Sequence, residues 1–473
     1  MREPSDGHAP NSRPGRTFVT LGAGEMLSRV IGFAGTIFLA RQLGVEMYGV
    51  MGLGFAVLLY ATIAADCGLE YTGPREVVDA GPRLPALVST VLVTRMLVTV
   101  VVAAIQLGLA LLLDEPEQSV LALYALALVP VGLNVRWAHL GLERAGVVAV
   151  ARVGGEVLRL AIVFALVRTP SDVIVVPLAQ FAGDAFAAVL LLARLRVSGV
   201  PSWGGVDIRL AVSVVRRALP MLASAALAMV IYNSDLIFLR VFRDSGEVGQ
   251  YLAAYTLLNF LGVLGHLIAL SLTPAFTHLR PAPAQQSALL QRSLVNVMAL
   301  GLPIAAGGVL TAPQIIGVAF GADYSASAPV LALLIWCLPI LLYRSVMQAA
   351  LVSIERPADV LRTTVVAAVA NVALNLVAVP LLGMLGAAIT TVVAEALRAA
   401  TARAYVRRAG FRMPGLFRYG RAVGSVLAMV AVLLIVRPVN LWIAVALAVP
   451  TYALVLMAVG GLRVRRDGIQ LST

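Results

Sequence analysis

Arg152, Glu156 and Arg159 stand at i, i+4 and i+7 inside one apolar run, so a helix would carry all three on one face. Glu25 and Arg29 form an i, i+4 pair with the acid first, the favourable order along a helix, and Glu395 and Arg398 are spaced i, i+3. Arg95, Arg136, Arg344, Asp66, Asp184 and Asp235 interrupt other apolar runs. An ionised group in such a run costs about 3 kcal/mol on insertion scales, so it faces a cavity or a partner. Pairing explains some of these residues as helix locks, with Glu395 and Arg398 the plainest case. The acids are too few to neutralise every arginine. A surplus led by Arg29, Arg95, Arg159 and Arg344, with Arg152 beside them, predicts a cationic interior suited to an anion. The guanidinium fork pairs with two phosphate oxygens at once, which points to a pyrophosphate. Glu25, Glu156, Asp184, Asp235, Glu395 and Arg398 are expected as supporting or coupling charges. Asp184 reads as an ion site or as the partner of an arginine, and Asp235, with Asn233, as a helix cap or gate.

Other chemistries find no residues. The chain has no lysine, so a Walker phosphate loop is impossible and the protein is not its own ATPase. No metal cluster, nucleophile elbow or other catalytic constellation appears, so no cofactor and no enzymatic activity are expected. Cys67 and Cys337 read as small buried hydrophobes, and His139 and His266 as structural. Energy would come from an ion gradient, the membrane potential or consumption of product on the far side.

The elements that hold these charges are membrane helices. Of 473 residues 60% are hydrophobic and 13% charged, half the charge a soluble domain needs for its wetted shell. Fourteen segments reach the length that spans hydrocarbon: 18–39, 49–69, 85–112, 119–141, 147–168, 172–193, 214–239, 249–273, 292–313, 327–352, 358–380, 385–406, 421–437 and 439–461. Arginines test the map. External loops receive only Arg41, Arg168, Arg240, Arg243 and Arg437, six arginines lie inside spans, and the cytoplasmic segments carry the rest, so both termini are expected in the cytoplasm. The net charge of +12 therefore writes topology and is not a nucleic-acid footprint. An internal repeat pairs Glu143-Arg144 with Glu355-Arg356, and Glu46-Met47-Tyr48-Gly49 with Glu247-Val248-Gly249-Gln250-Tyr251. The fold class is thus all-α, with a six-helix bundle over 1–200, a second over 201–410 and two appended helices over 411–473. Duplicated bundles of this kind rock against each other in transporters.

Ser28-Arg29-Val30-Ile31-Gly32-Phe33, followed by Ala40-Arg41-Gln42-Leu43-Gly44 and Tyr48-Gly49, resembles the opening of the O-antigen type polysaccharide flippases of the multidrug/oligosaccharidyl-lipid/polysaccharide exporter superfamily. Asn233-Ser234-Asp235-Leu236, Gly249-Gln250-Tyr251 and Ala253-Ala254-Tyr255 are similar to that family's seventh and eighth helices. The resemblance implies alternating-access flipping of an undecaprenyl-pyrophosphate-linked oligosaccharide across a bacterial inner membrane, with Arg29 at the head group. Membrane lipids and the lipid-linked glycan are the implied partners, with glycan polymerases or glycosyltransferases as protein candidates. The Ser28–Phe33 string is also similar to peptidoglycan-precursor flippases, but the arginine those carry shortly after Gly-Phe is missing at Ala34 and Gly35. A cation-coupled drug exporter would need an acid-rich cavity. A membrane glycosyltransferase or ligase would need a larger external loop than the one bearing Asp114, Glu115 and Glu117.

Overall fold

The computed structural model describes residues 14–197, 199, 205–436, 440–465 and 468–471. In chain order the helices are α1 (Pro14–Asp66), α2 (Leu69–Ala80), α3 (Leu84–Ala110), α4 (Glu117–Leu133), α5 (Arg136–Gly141), α6 (Ala145–Leu166), α7 (Val175–Val197) and α8 (Ile208–Phe242). They continue as α9 (Ser245–His278), α10 (Pro283–Ala319), α11 (Ser327–Leu334), α12 (Cys337–Ser353), α13 (Pro357–Arg408), α14 (Gly420–Val436) and α15 (Leu441–Ala458). Among the described residues ten helical stretches are long and apolar enough to cross a membrane, and Leu97, Leu381 and Ile435 stand outward from theirs. The protein is a multi-pass helical membrane protein. A short hairpin of β1 (Leu462–Arg465) and β2 (Gly468–Leu471), absent from the sequence reading, follows α15.

Two helices are too long to cross once. At 1.5 Å per residue, the 53 residues of α1 would stretch about 80 Å if straight, against about 30 Å of hydrocarbon. The chain breaks at Gly44, where φ is +69°, a left-handed conformation that glycine takes without steric cost. Helix α13 breaks likewise at Gly383, φ +56°. Neighbouring side chains stitch this second break. The Arg243 guanidinium donates to the Pro380 carbonyl at 2.7 Å, and the Glu247 carboxylate accepts the Met384 N–H at 3.0 Å. Both groups freed by the kink are thereby satisfied.

Contacts sort the described residues into two compact units, drawn from Met1–Leu39 with Val57–Ala226 and from Ala40–Ala56 with Leu227–Thr473. The core of the first gathers Trp137, Val135, Val88, Leu92 and Leu195. Helices α6 and α7 cross at Gly155 and Gly183, where a Cβ on either would come within 2.6 Å of the other's carbonyl oxygen. Helix α2 was not expected as a separate element. Its Glu76 receives a two-pronged grip from Arg217, both contacts 2.9 Å, and its Glu70 pairs with Arg136 at 2.7 Å. Burial raises the Glu70 carboxyl above the usual range, with Arg136 pulling the other way.

In the second unit the core gathers Phe276, Leu290, Leu338, Leu342 and Val346. Arg41 caps the end of α10, donating to the carbonyls of Ala319 at 2.8 Å and Val318 at 2.5 Å. Gly49 and Gly249 mark a helix crossing so close that a Cβ at either would overlap backbone, at Ser245 for the first and Val45 for the second. The paired motifs Glu46–Gly49 and Glu247–Tyr251 therefore lie against each other. The other repeated motif has one backbone form in both copies. Glu143 and Glu355 take φ of +57° and +60°. The following N–H groups, of Arg144 and Arg356, reach back to His139 and Leu351 at 2.8 and 3.0 Å. Each is a Schellman helix ending, with glutamate in the position glycine usually holds.

Candidate functional site

In the first unit the charges lie on α1, α6 and α7. Helix α1 presents Gly32 to α6, where an added Cβ would stand 2.9 Å from a Glu156 carboxylate oxygen and 3.7 Å from Arg159 Nη2. This glycine lets the two helices close while leaving room for the ion pair. Arg159 grips Glu156 with both Nε, at 3.2 Å, and Nη2. Arg29 and Arg152 are exposed on the same two helices. The Gly155–Gly183 crossing then sets α7 so that Asp184 is within electrostatic reach of both Arg159 and Glu156. The Asp184 carboxylate accepts a hydrogen bond from Gln180 at 2.8 Å. The spacing argument placed Arg152, Glu156 and Arg159 on one helix; the packing of that helix against α1 comes from the structure. The Glu25 side chain lies outside the described residues.

Arg95 has another setting. It is buried and donates to the carbonyls of Asn134 at 2.5 Å and Val131 at 2.8 Å, with Asp66 3.4 Å away. Those carbonyls are released where α4 stops and α5 begins, so this guanidinium closes a helix break. His139 is likewise structural, its Nε2 contacting the Leu191 carbonyl oxygen at 2.9 Å.

The second unit seals its charges away. Glu395 bridges Arg344 at 3.1 Å and Arg398 at 3.4 Å, all three side chains being no more than 6% exposed. Arg344 also donates to Gln348 at 2.5 Å, and Arg398 to Thr364 at 3.0 Å. The pairing of Glu395 with Arg398 was expected; the second arginine on the same carboxylate was not.

Asp235 is 1% exposed and accepts hydrogen bonds from four neutral groups. Asn375 donates at 2.5 Å and Asn371 at 3.4 Å to one oxygen, and Tyr251 at 2.7 Å and Thr391 at 2.6 Å to the other. Removing a carboxylate from water costs several kcal/mol, and hydrogen bonds to a charged group return about 1.5–3 kcal/mol each. Such a shell can hold the anion, and it would equally suit a carboxylate neutralised by a proton or a small cation. The expectation of a helix cap here is corrected, because α8 continues to Phe242. Asn371, Asn375 and Thr391 went unnoticed in the sequence. The i, i+4 asparagines in an otherwise apolar run were the available signal.

A family model described as polysaccharide biosynthesis protein matches residues 15–280. A probable low-salt glycan biosynthesis flippase of Haloferax volcanii is 22% identical over 403 residues, covering 81% of each chain. A putative O-antigen transporter of Escherichia coli is 21% identical over 50% of this chain and 58% of its own. Among solved structures, the lipid II flippase MurJ in an inward closed conformation superposes with a TM-score of 0.79 at 12% identity, over 93% of this chain and 98% of that one.

Proposed function

The chain belongs to the polysaccharide biosynthesis protein family, and on that premise we propose that it flips a lipid-linked oligosaccharide or polysaccharide precursor by alternating access across a bacterial inner membrane. The observation that carries this reading is the set of Arg29, Arg152 and Arg159 on two touching helices, with the side chains of Arg29 and Arg152 exposed. Guanidiniums so placed suit a pyrophosphate head group, whose oxygens they would bind in pairs. The arginine distribution favours fourteen crossings with both termini in the cytoplasm. We read 1–200 and 201–410 as the alternating halves, with 411–473 appended. Glycan polymerases or glycosyltransferases would act beside it.

Within this reading Arg95 and Arg344 hold the scaffold, since backbone carbonyls or Glu395 occupy them. Asp235 is the coupling group, taking up a proton or a small cation as the protein cycles. The test is translocation of a pyrophosphate-linked oligosaccharide lipid in proteoliposomes, with and without a sodium or pH gradient. Flipping accelerated by one gradient supports the proposal. Inert lipid together with export of a small organic cation would replace it with a drug exporter.

A further inference from the structure

Between Glu395 and Asp467 the chain has eleven arginines and no carboxylate. Of these, Arg403, Arg407, Arg408, Arg412, Arg418 and Arg421 are exposed around the connection from α13 to α14. In their midst Leu416 is 81% exposed and Phe417 99%. A bare phenylalanine beside so many cations is an odd choice for a loop in water. It suits the boundary between lipid head groups and acyl chains, where an aromatic ring embeds and arginines reach for phosphate. The candidate span that contains α14 begins at Leu416, which puts this loop at the end of a crossing.

The loop is also held in shape. Phe411 is buried against Phe276, ring centroids 6.5 Å apart and edge to face. Gln291 on α10 donates to the Arg412 carbonyl at 3.1 Å and accepts from the Arg418 guanidinium at 2.8 Å. The Arg418 N–H closes a turn onto Gly415 at 3.1 Å. Leu416 and Phe417 are the outward tip of that turn.

We propose that the α13–α14 connection is a docking surface for anionic phospholipid head groups, with Leu416 and Phe417 inserted among the acyl chains and Arg407, Arg408, Arg412 and Arg418 on the phosphates. The charge complementarity rests on the unbroken run of arginines. An acidic face on another protein is the competing occupant. The site also bears on the appended pair, because α14 and α15 dock on α10 through a small cluster of Ala306, Met429, Leu433 and Ala444. Lipid at the start of α14 would brace a thinly packed region.

The test uses the full chain carrying Phe417→Cys labelled with bimane; the native Cys67 and Cys337 are buried. It is reconstituted in phosphatidylcholine containing an equal minor share of brominated phosphatidylglycerol or brominated phosphatidylcholine. The expected result is deeper quenching by the anionic lipid, with the preference falling on the order of fivefold for each of Arg407→Gln, Arg408→Gln and Arg412→Gln. High salt should erase the preference. Equal quenching by the two lipids overturns the charge recognition. No quenching by either places Phe417 outside lipid and overturns the proposal whole, in favour of a protein partner. Arg407→Gln and Arg408→Gln leave the Gln291 contacts intact, so their effect is separable from a loop that loses its shape.

Discussion

Helices α6 and α13 carry the same Glu-x-Leu-Arg pattern, Glu156-Val157-Leu158-Arg159 and Glu395-Ala396-Leu397-Arg398, and the fold uses the two differently. The first pair keeps 21% and 16% of its side chains exposed, on helices that also carry the exposed Arg29 and Arg152. In the second, Arg344 joins Glu395 and Arg398, and all three are sealed. An acid and an arginine three residues apart predict an ion pair in both places. Whether that pair faces a ligand or locks a core depends on the helices packed over it.

The comparison can be broken by removing the acid from each copy. Glu395→Ala strands two buried guanidiniums, and breaking a buried ionic group in this way costs about 3–5 kcal/mol. Glu156→Ala leaves one partly exposed arginine and should cost less, about 1 kcal/mol. Thermal unfolding in detergent reads both, and equal losses would erase the distinction. Next in size is Asp235→Asn, which should leave the melting temperature near wild type and slow gradient-driven flipping about 10–100-fold, the scale of one charged hydrogen bond. Retained gradient dependence would remove Asp235 from coupling.

Legibility from the sequence followed the range of the interaction. Helix positions needed only local hydropathy, and the breaks at Gly44 and Gly383 fell between expected segments. That Arg152, Glu156 and Arg159 share α6 followed from spacing alone. Arg95 resisted because its partners, the carbonyls of Val131 and Asn134, exist only where α4 ends. The Asp235 shell resisted because its donors come from residues 16 to 156 positions away, and neutral asparagine and threonine raise no charge signal. Arg41 was assigned to a loop, but its guanidinium caps a helix 277 residues downstream.

The repeat supplies the smallest test. Glu355 holds a left-handed conformation that glycine adopts freely, and its contact with Arg280 is exposed. Glu355→Gly should raise stability by about 0.5–1 kcal/mol, seen as a higher unfolding temperature. A loss would mean that the Arg280 contact outweighs the backbone strain.

The central claim is that the exposed arginines of the first unit read the anionic head group. It is tested most directly by flipping of a pyrophosphate-linked oligosaccharide lipid in liposomes by Arg29→Ala, beside wild type. The account predicts a loss of about tenfold or more, with normal folding and insertion. Wild-type flipping by a well-folded Arg29→Ala protein would contradict it.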